Sequence, residues 1–407
     1  MRKVLRLVGL LILGVIVVAA GYLAYVAISG IPKYSPGNVQ LTVRSTPEKA
    51  LRGKKLAGLL CASCHLDRAT GKLTGHYQAD APPIFGPIHS KNITQDKEKG
   101  IGSWTDGELA YFLRTGIDRT GQYVPPYMIK LPLLADEDME AILTFLHSDD
   151  PWVQAAHVDP PGVTKPSLLT KFLSHTAFGP LPYPSAPIPM PDPADRVAVG
   201  RYLSATLGCF ACHSADFKTM NELEPEKSPG YMGGGNALSD MNGQEVLSAN
   251  ITPDETAGIG KWSAEDFDRA LRAGVRPDGQ HLRFPMAMMP ELDRDDTAAL
   301  YAYLRTVPKL AKAVPRAAPP VVAASASEGE RVYTQAGCAS CHGKTGVGIA
   351  DLRKAAEHYP DDAQLIAWIK NPESFKPGVK MPAWEGVIPE KDFPALVAYV
   401  KELGARK

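Results

Sequence analysis

The chain has 407 residues, with 44 Lys plus Arg against 44 Asp plus Glu; that balance excludes a nucleic-acid binder and a polybasic membrane-surface protein. At 44% apolar residues the length suits about two to four domains. Thirty-six Gly and 36 Pro favour short elements joined by many turns over long bundles or extended sheets.

Leu7 to Pro32 carries no charge and follows Arg2, Lys3 and Arg6. A run of this length predicts a spanning helix, and the basic end places the N-terminus in the cytoplasm. Residues 1–32 are therefore read as a single-pass membrane anchor, with everything beyond Pro32 outside. A cleaved secretory signal is the alternative, because Val18-Ala19-Ala20 offers small residues at a cleavage site. Apolar residues continue past that site to Ile31, which favours the uncleaved anchor.

All six cysteines fall in three C-x-x-C-H motifs: Cys61, Cys64 and His65; Cys209, Cys212 and His213; Cys338, Cys341 and His342. This is the attachment signature of c-type haem, in which two thiols take the vinyl groups of one porphyrin and the histidine ligates iron. Residues three apart lie on one face of a helical turn, so both sulfurs reach one macrocycle. Structural zinc would need four ligands, and the motifs stand more than a hundred residues apart with no nearby partner. A redox dithiol would be expected once and without the histidine. The motifs thus predict three covalent haem c groups.

The first motif region repeats in the second. From Asn92-Ile93-Thr94 to Asn250-Ile251-Thr252 the offset is constant, carrying Trp104 onto Trp262, Gly116 onto Gly274, Met128 onto Met286 and Ala141 onto Ala299. A third, shorter copy shares an opening glycine (Gly53, Gly200, Gly329) and a closing amphipathic helix. Closing helices are expected from Asp136, from Asp293 and from Pro389-Glu390, where acidic residues begin apolar runs of helical period. The expected fold is mainly α: three tandem class I cytochrome c modules at 45–150, 194–307 and 328–407, following the anchor. A Pro-rich linker at 151–193 and an Ala/Pro linker at 308–327 join them as extended spacers. Within the first linker, Leu168 to Leu173 is an apolar cluster that packs between modules or forms part of a docking surface.

For the second axial ligand of each iron, methionine is the first candidate. Met381, after a Lys-Pro-Gly turn, serves the third motif; the offset picks Met128 and Met286 for the others, with Met288 and Met289 crowding the second site. Core packing is the ordinary role of a methionine, but these recur downstream of each motif. His76, His89, His147, His157, His175, His281 and His358 give no consistent bis-histidine set. Trp104 with Trp262, and Asn92 with Asn250, either pack the core or donate to a haem propionate. Gly233-Gly234-Gly235 reads as a tight loop.

The segments Ser248–Asp254, Gly258-Ile259-Gly260-Lys261-Trp262, Arg272–Val275 and Asp278–Leu282, with Met286 after them, resemble the triheme cytochrome c subunit of membrane-bound periplasmic alcohol, gluconate and sorbitol dehydrogenases. The resemblance covers about residues 50–307, and the third region resembles class I cytochromes c generally. It implies electrons passing from a dehydrogenase through three haems to membrane quinone or another cytochrome. Expected partners are the bilayer and a redox protein such as a periplasmic dehydrogenase, a quinol-oxidising complex or a terminal oxidase, with no nucleic acid. The expected location is the bacterial inner membrane, haem modules in the periplasm. Members of that family use C-terminal segments for attachment, whereas here the apolar helix is N-terminal; Pro285–Pro290 also departs from their Ala-Met-Pro-Tyr. Six-coordinate irons favour an electron carrier without catalysis of its own. A periplasmic haem enzyme such as a peroxidase, or a membrane-anchored haem sensor, would need an open iron.

Overall fold

A computed structural model describes residues 2–404 except 68–69, 79–80, 161, 241–243, 316–321, 349, 377–378 and 380. The chain divides into unit 1, residues 1–57 and 61–189, and unit 2, residues 58–60 and 190–407. Among the described residues the structure is mainly helical, with one two-stranded hairpin and a few single bridges.

Unit 1 begins with α1 (Arg2–Ser29), whose apolar side chains stand exposed except Val26, the one residue of the helix that is buried. Helix α2 (Pro47–Leu60) starts where the Thr46 hydroxyl accepts from the Lys49 amide and proline occupies the first turn. One turn, α3 (Ala62–His65), carries the first motif. Helix α4 (Asp106–Thr115) opens with a Thr105/Glu108 capping box and stops at Gly116, whose φ of 81° suits a left-handed C-cap. The predicted closing helix is α5 (Asp136–Leu146).

Helices α2 and α5 meet at Gly53, where a Cβ would overlap the Ala141 carbonyl oxygen. Arg52 forks onto Asp138 at 2.8 and 2.9 Å beside that contact, and Lys49 pairs with Glu140. Leu56, Leu109, Ile142, Leu143 and Phe145 are buried in this unit.

The cluster at Leu168 to Leu173 folds as α6 (Leu168–Thr176), capped by Ser167. Its neighbours in unit 1 are the end of α1 and the 3-10 turn Pro83–Phe85. Lys171 and His175 are drawn to carbonyls at the end of α1, donating to Ala27 O at 3.0 Å and Gly30 O at 2.9 Å.

In unit 2, α7 (Arg196–Thr206), α8 (Cys209–His213), α9 (Ala264–Ala273) and α10 (Arg294–Leu304) surround one core that includes Leu203, Phe210, Ile259, Leu271, Leu300 and Tyr303. Helices α9 and α10 again open on capping boxes, Ser263/Asp266 and Asp293/Asp296. Between α8 and α9 an antiparallel hairpin pairs β1 (Ala237–Ser239) with β2 (Glu245–Leu247), an element the apolar pattern does not announce.

A second core in unit 2, including Tyr333, Leu365, Trp384, Phe393, Leu396 and Val400, is built by α11 (Glu328–Gln335), α12 (Cys338–His342), α13 (Ala355–His358), α14 (Asp362–Lys370), α15 (Pro372–Phe375) and α16 (Phe393–Glu402). The last predicted helix begins later than expected, because Glu390–Asp392 forms a 3-10 turn before Phe393-Pro394 opens α16. Gly200 meets the Ala299 carbonyl and Tyr303, and Gly329 meets the Ala395 carbonyl and Tyr399, in the manner of Gly53. Residues 316–321 of the Ala/Pro linker, and 377–378 of the Lys-Pro-Gly turn, lie outside the described residues.

Candidate cofactor sites

In unit 1 the amides of Cys64 and His65 both bond to the Cys61 carbonyl, at 3.1 and 2.9 Å, which coils the first motif into a single turn. Cys61, Cys64, His65 and Met128 line one cavity of about 1150 Å³, together with Trp104, Leu109, Leu113 and Ile142. That volume exceeds the roughly 300–1,000 Å³ of ordinary small-molecule pockets, and its wall is mainly apolar side chains, as a large flat macrocycle with two anchoring thiols requires. Both thiols are free of disulfides. Burial first, and then the neighbouring Cys64, pushes the Cys61 thiol up to about 12. A reactive dithiol needs the opposite, a depressed pKa in an electropositive setting.

The His65 ring is held by its Nδ1, 2.8 Å from the Lys91 carbonyl. A carbonyl only accepts, so Nδ1 carries the proton and Nε2 is left with a free lone pair, the orientation a metal-ligating imidazole takes. Burial, the largest cause, pushes its pKa down to about 4, so Nε2 stays unprotonated at neutral pH. Behind the ring the Gly75 amide closes onto the His65 carbonyl at 2.8 Å with φ of 83°, close against the backbone of Ser90. Only glycine fits that approach.

The second site repeats these bonds with other side chains. His213 Nδ1 donates to the Ala249 carbonyl at 2.7 Å, and Ala249 stands to Asn250 as Lys91 stands to Asn92. Gly234, φ 64°, bonds the His213 carbonyl at 2.8 Å, which gives the triple-glycine loop its role as the counterpart of Gly75. Burial lowers the His213 pKa and raises both thiols, Cys209 to about 11.

Three methionines compete here, and their backbone bonds separate them. The Met286 amide turns onto the Arg283 carbonyl at 2.9 Å, as Met128 turns onto Pro125 at 3.1 Å. Met289 bonds Leu271 at 2.8 Å, as Leu131 bonds Leu113 at 2.7 Å, and so matches a core leucine. Met288 is buried with its sulfur against Gly274.

At the third site His342 Nδ1 lies 3.2 Å from the Ala350 carbonyl, and the Tyr333 hydroxyl donates to the Gly343 carbonyl at 2.8 Å. Cys338, whose thiol burial raises to about 12, and Met381 both pack against the core that contains Trp384. The structure thus puts thiol, imidazole and thioether of the first site on one cavity, and sets Cys209 with Met286, and Cys338 with Met381, against a common core.

The paired asparagines require a correction. Asn92 Nδ2 donates to the Ala156 and Val158 carbonyls at 2.9 and 3.0 Å while its Oδ1 accepts from the Thr94 amide and hydroxyl. Asn250 does the same with Leu310, Lys312 and Thr252. Both amides are committed to backbone that follows the closing helix, so neither donates to a propionate. Trp104 does line the cavity, its ring tilted against Phe112 with the Arg119 guanidinium 5.3 Å away. Trp262 packs on its core, and its carbonyl accepts from the Tyr301 hydroxyl.

Comparison with known proteins agrees with this geometry. Residues 50–149 and 197–308, just over half of the chain, match the cytochrome c family, and residues 324–400 match cytochrome c oxidase, cbb3-type, subunit III. The gluconate 2-dehydrogenase cytochrome c subunit of Pantoea cypripedii is 29% identical over 324 residues, 74% of this chain and 70% of that protein. The cytochrome c subunit of the alcohol dehydrogenase (quinone) of Gluconacetobacter polyoxogenes is 27% identical over 372 residues, 85% of this chain and 75% of that protein. A fructose dehydrogenase cytochrome subunit from Gluconobacter japonicus is 34% identical over 125 residues, 30% of this chain and 24% of that protein. With thiols, imidazole and methionine disposed for covalent haem in regions that match it, the chain belongs to the cytochrome c family and is an electron-transfer protein.

Proposed function

We propose that this chain is the cytochrome subunit of a membrane-bound dehydrogenase complex, carrying three covalent haems in three tandem modules on the outer, periplasmic side of the bacterial inner membrane. The observation that carries the reading is the threefold recurrence of one arrangement: a motif histidine whose Nδ1 is pinned to a backbone carbonyl, at Lys91, Ala249 and Ala350. The threefold glycine contact at Gly53, Gly200 and Gly329 supports equal standing for the third region. On this reading the modules span 45–150, 194–307 and 328–407, with α1 as the anchor.

Haem bound at each site supplies a one-electron iron couple. The chain's part is to fix it: Cys61 and Cys64, Cys209 and Cys212, and Cys338 and Cys341 tether the ring, while His65, His213 and His342 present Nε2. Met128, Met286 and Met381 would each offer a thioether as the iron's second protein ligand, which is why carrying is favoured over peroxidase chemistry or gas sensing. Met286 is preferred to its neighbours because its backbone turn is that of Met128. The cytochrome subunits among the relatives supply the choice of a dehydrogenase as electron donor, with a quinol-oxidising complex or terminal oxidase at the other end of the relay. Arg2, Lys3 and Arg6 would keep the N-terminus cytoplasmic.

Intact-mass analysis of the chain from bacterial membranes tests this. Three added haem masses with α1 retained are expected, falling to two in Cys338→Ser/Cys341→Ser, with no carbon monoxide binding by the reduced protein. Free thiols at any motif, or a carbon monoxide complex, would refute the three-site carrier.

A further inference from the structure

Helix α6 is turned inside out. Its buried residues are Thr170 and Ser174, each 1% exposed, whereas Leu168 is 47% exposed and Leu169, Phe172 and Leu173 are only half-buried. A helix at the surface of a water-soluble body buries its leucines and exposes its hydroxyls. Here the Thr170 hydroxyl instead donates inward to the Phe85 carbonyl at 2.8 Å, and the buried Ser174 hydroxyl bonds back within α6 to the Thr170 carbonyl at 2.8 Å. The two elements that α6 packs against also carry exposed apolar residues, Ile84, 61% exposed in the 3-10 turn, and Ile28 at the end of α1, 88% exposed.

The depth of α6 follows from α1. About 20 residues at a rise of about 1.5 Å cross the hydrocarbon core, so an uncharged stretch beginning at Leu7 reaches the outer boundary near Val26. Helix α6 meets α1 at that level: Phe172 packs edge-on to Tyr22 with centroids 6.1 Å apart, His175 to Tyr25 at 5.7 Å, and Lys171 caps Ala27. Tyrosines at this depth mark a membrane–water boundary, and a lysine there lifts its charge among headgroups.

We propose that α6, with the Pro83–Phe85 turn, lies in the outer-leaflet interface as a second membrane contact, its Leu168 face set among acyl chains beside the anchor. This rests on the reading of α1 as a retained span. The anchor then does more than tether: α6, braced on it, holds the first motif's unit against the bilayer.

The test uses the full-length, haem-loaded chain in nanodiscs of phosphatidylethanolamine and phosphatidylglycerol, with p-benzoylphenylalanine placed singly at four positions. Leu168→p-benzoylphenylalanine and Ile84→p-benzoylphenylalanine probe the patch on two separate elements. Leu13, within α1, is the membrane control, and Val347, 47% exposed in the third region, the aqueous one. After irradiation, lipid adducts at Leu168 and Ile84 are expected at about tenfold or more above Val347, approaching Leu13, as for a helix embedded in the interface. Adducts at Leu13 with background labelling at Leu168 and Ile84, or crosslinks from both to a co-purified polypeptide instead of lipid, overturn the interfacial helix and leave the anchor standing. Background labelling at Leu13 overturns the anchor reading and this one with it.

Discussion

The two repeats share a hydrogen-bonded frame and differ in what that frame is pressed against. In the first, residues after α1 run back along the Gly121–Tyr123 turn: Tyr34 N bonds Gly121 O at 2.8 Å, and Tyr34 and Tyr123 meet edge to face at 6.0 Å. Tyr123 is 2% exposed, with the Lys130 ammonium 5.2 Å over its ring. In the second repeat the same turn carries His281, half-buried, and Met288 replaces the lysine. There the neighbour is Trp384 of the third region, 4.2 Å from His281 between centroids, with Pro382 close to Gly274. One face of a repeated fold thus receives the N-terminal strap in one copy and the next region in the other. The frame beneath is insensitive to this, because it is made of backbone carbonyls and two asparagines.

That contrast can be broken at four points. The largest effect is expected at the face itself: Tyr123→Ala should cost ~4 kcal/mol, as for truncating a buried aromatic, against ~1 kcal/mol for His281→Ala at its more open contact. Urea unfolding of the haem-loaded protein reads both, and equal losses would mean that the two faces are used alike. Next come Gly53→Val, Gly200→Val and Gly329→Val. Each forces a side chain into a carbonyl of the closing helix and should cost ~3 kcal/mol; a tolerated Gly329 variant would remove the third region from the pattern.

Smaller losses, ~2 kcal/mol each, are expected for Asn92→Leu and Asn250→Leu, which leave buried amide and carbonyl groups unpaired. The two should agree within ~0.5 kcal/mol if the frame is common to both repeats. Smallest in stability is Met288→Leu, at ~1 kcal/mol or less. Its absorption spectrum should be unchanged, whereas Met286→Leu should lose the far-red methionine-to-iron band of one haem. The reverse result would make Met288 the ligand and break the match to Met128.

Much of this was legible because the relevant signals are local. C-x-x-C-H names its chemistry, the glycines ahead of each motif stand at matched positions, and Asp136 and Asp293 mark the closing helices where the structure starts them. The carbonyls that orient His65 and His213 belong to Lys91 and Ala249, whose side chains carry no trace of the role. Asn92 and Asn250 were visible as a repeat, but their partners lie beyond the closing helix, at a sequence distance where spacing gives no information. The carbonyl lies 26 positions after the motif histidine in the first repeat and 36 in the second, and the surplus in the second includes the β1–β2 hairpin, a three-residue ladder too short for any periodicity. Leu168 to Leu173 reads by composition as packing between modules or as part of a docking surface, and composition does not choose; the burial of Thr170 and Ser174 with Leu168 exposed is visible only in the fold.

The glycine crossings also set an order of assembly. In every region the first helix and the last touch at a point with room for a hydrogen atom only, so the compartment between them gains its final wall when the distal end of that segment arrives. A group tethered at the motif near the beginning of a segment would therefore be joined to the chain ahead of the crossing that flanks it. Tethering near the beginning of each segment and sealing at its end make the polypeptide a clasp that is threaded first and fastened afterwards, one segment at a time.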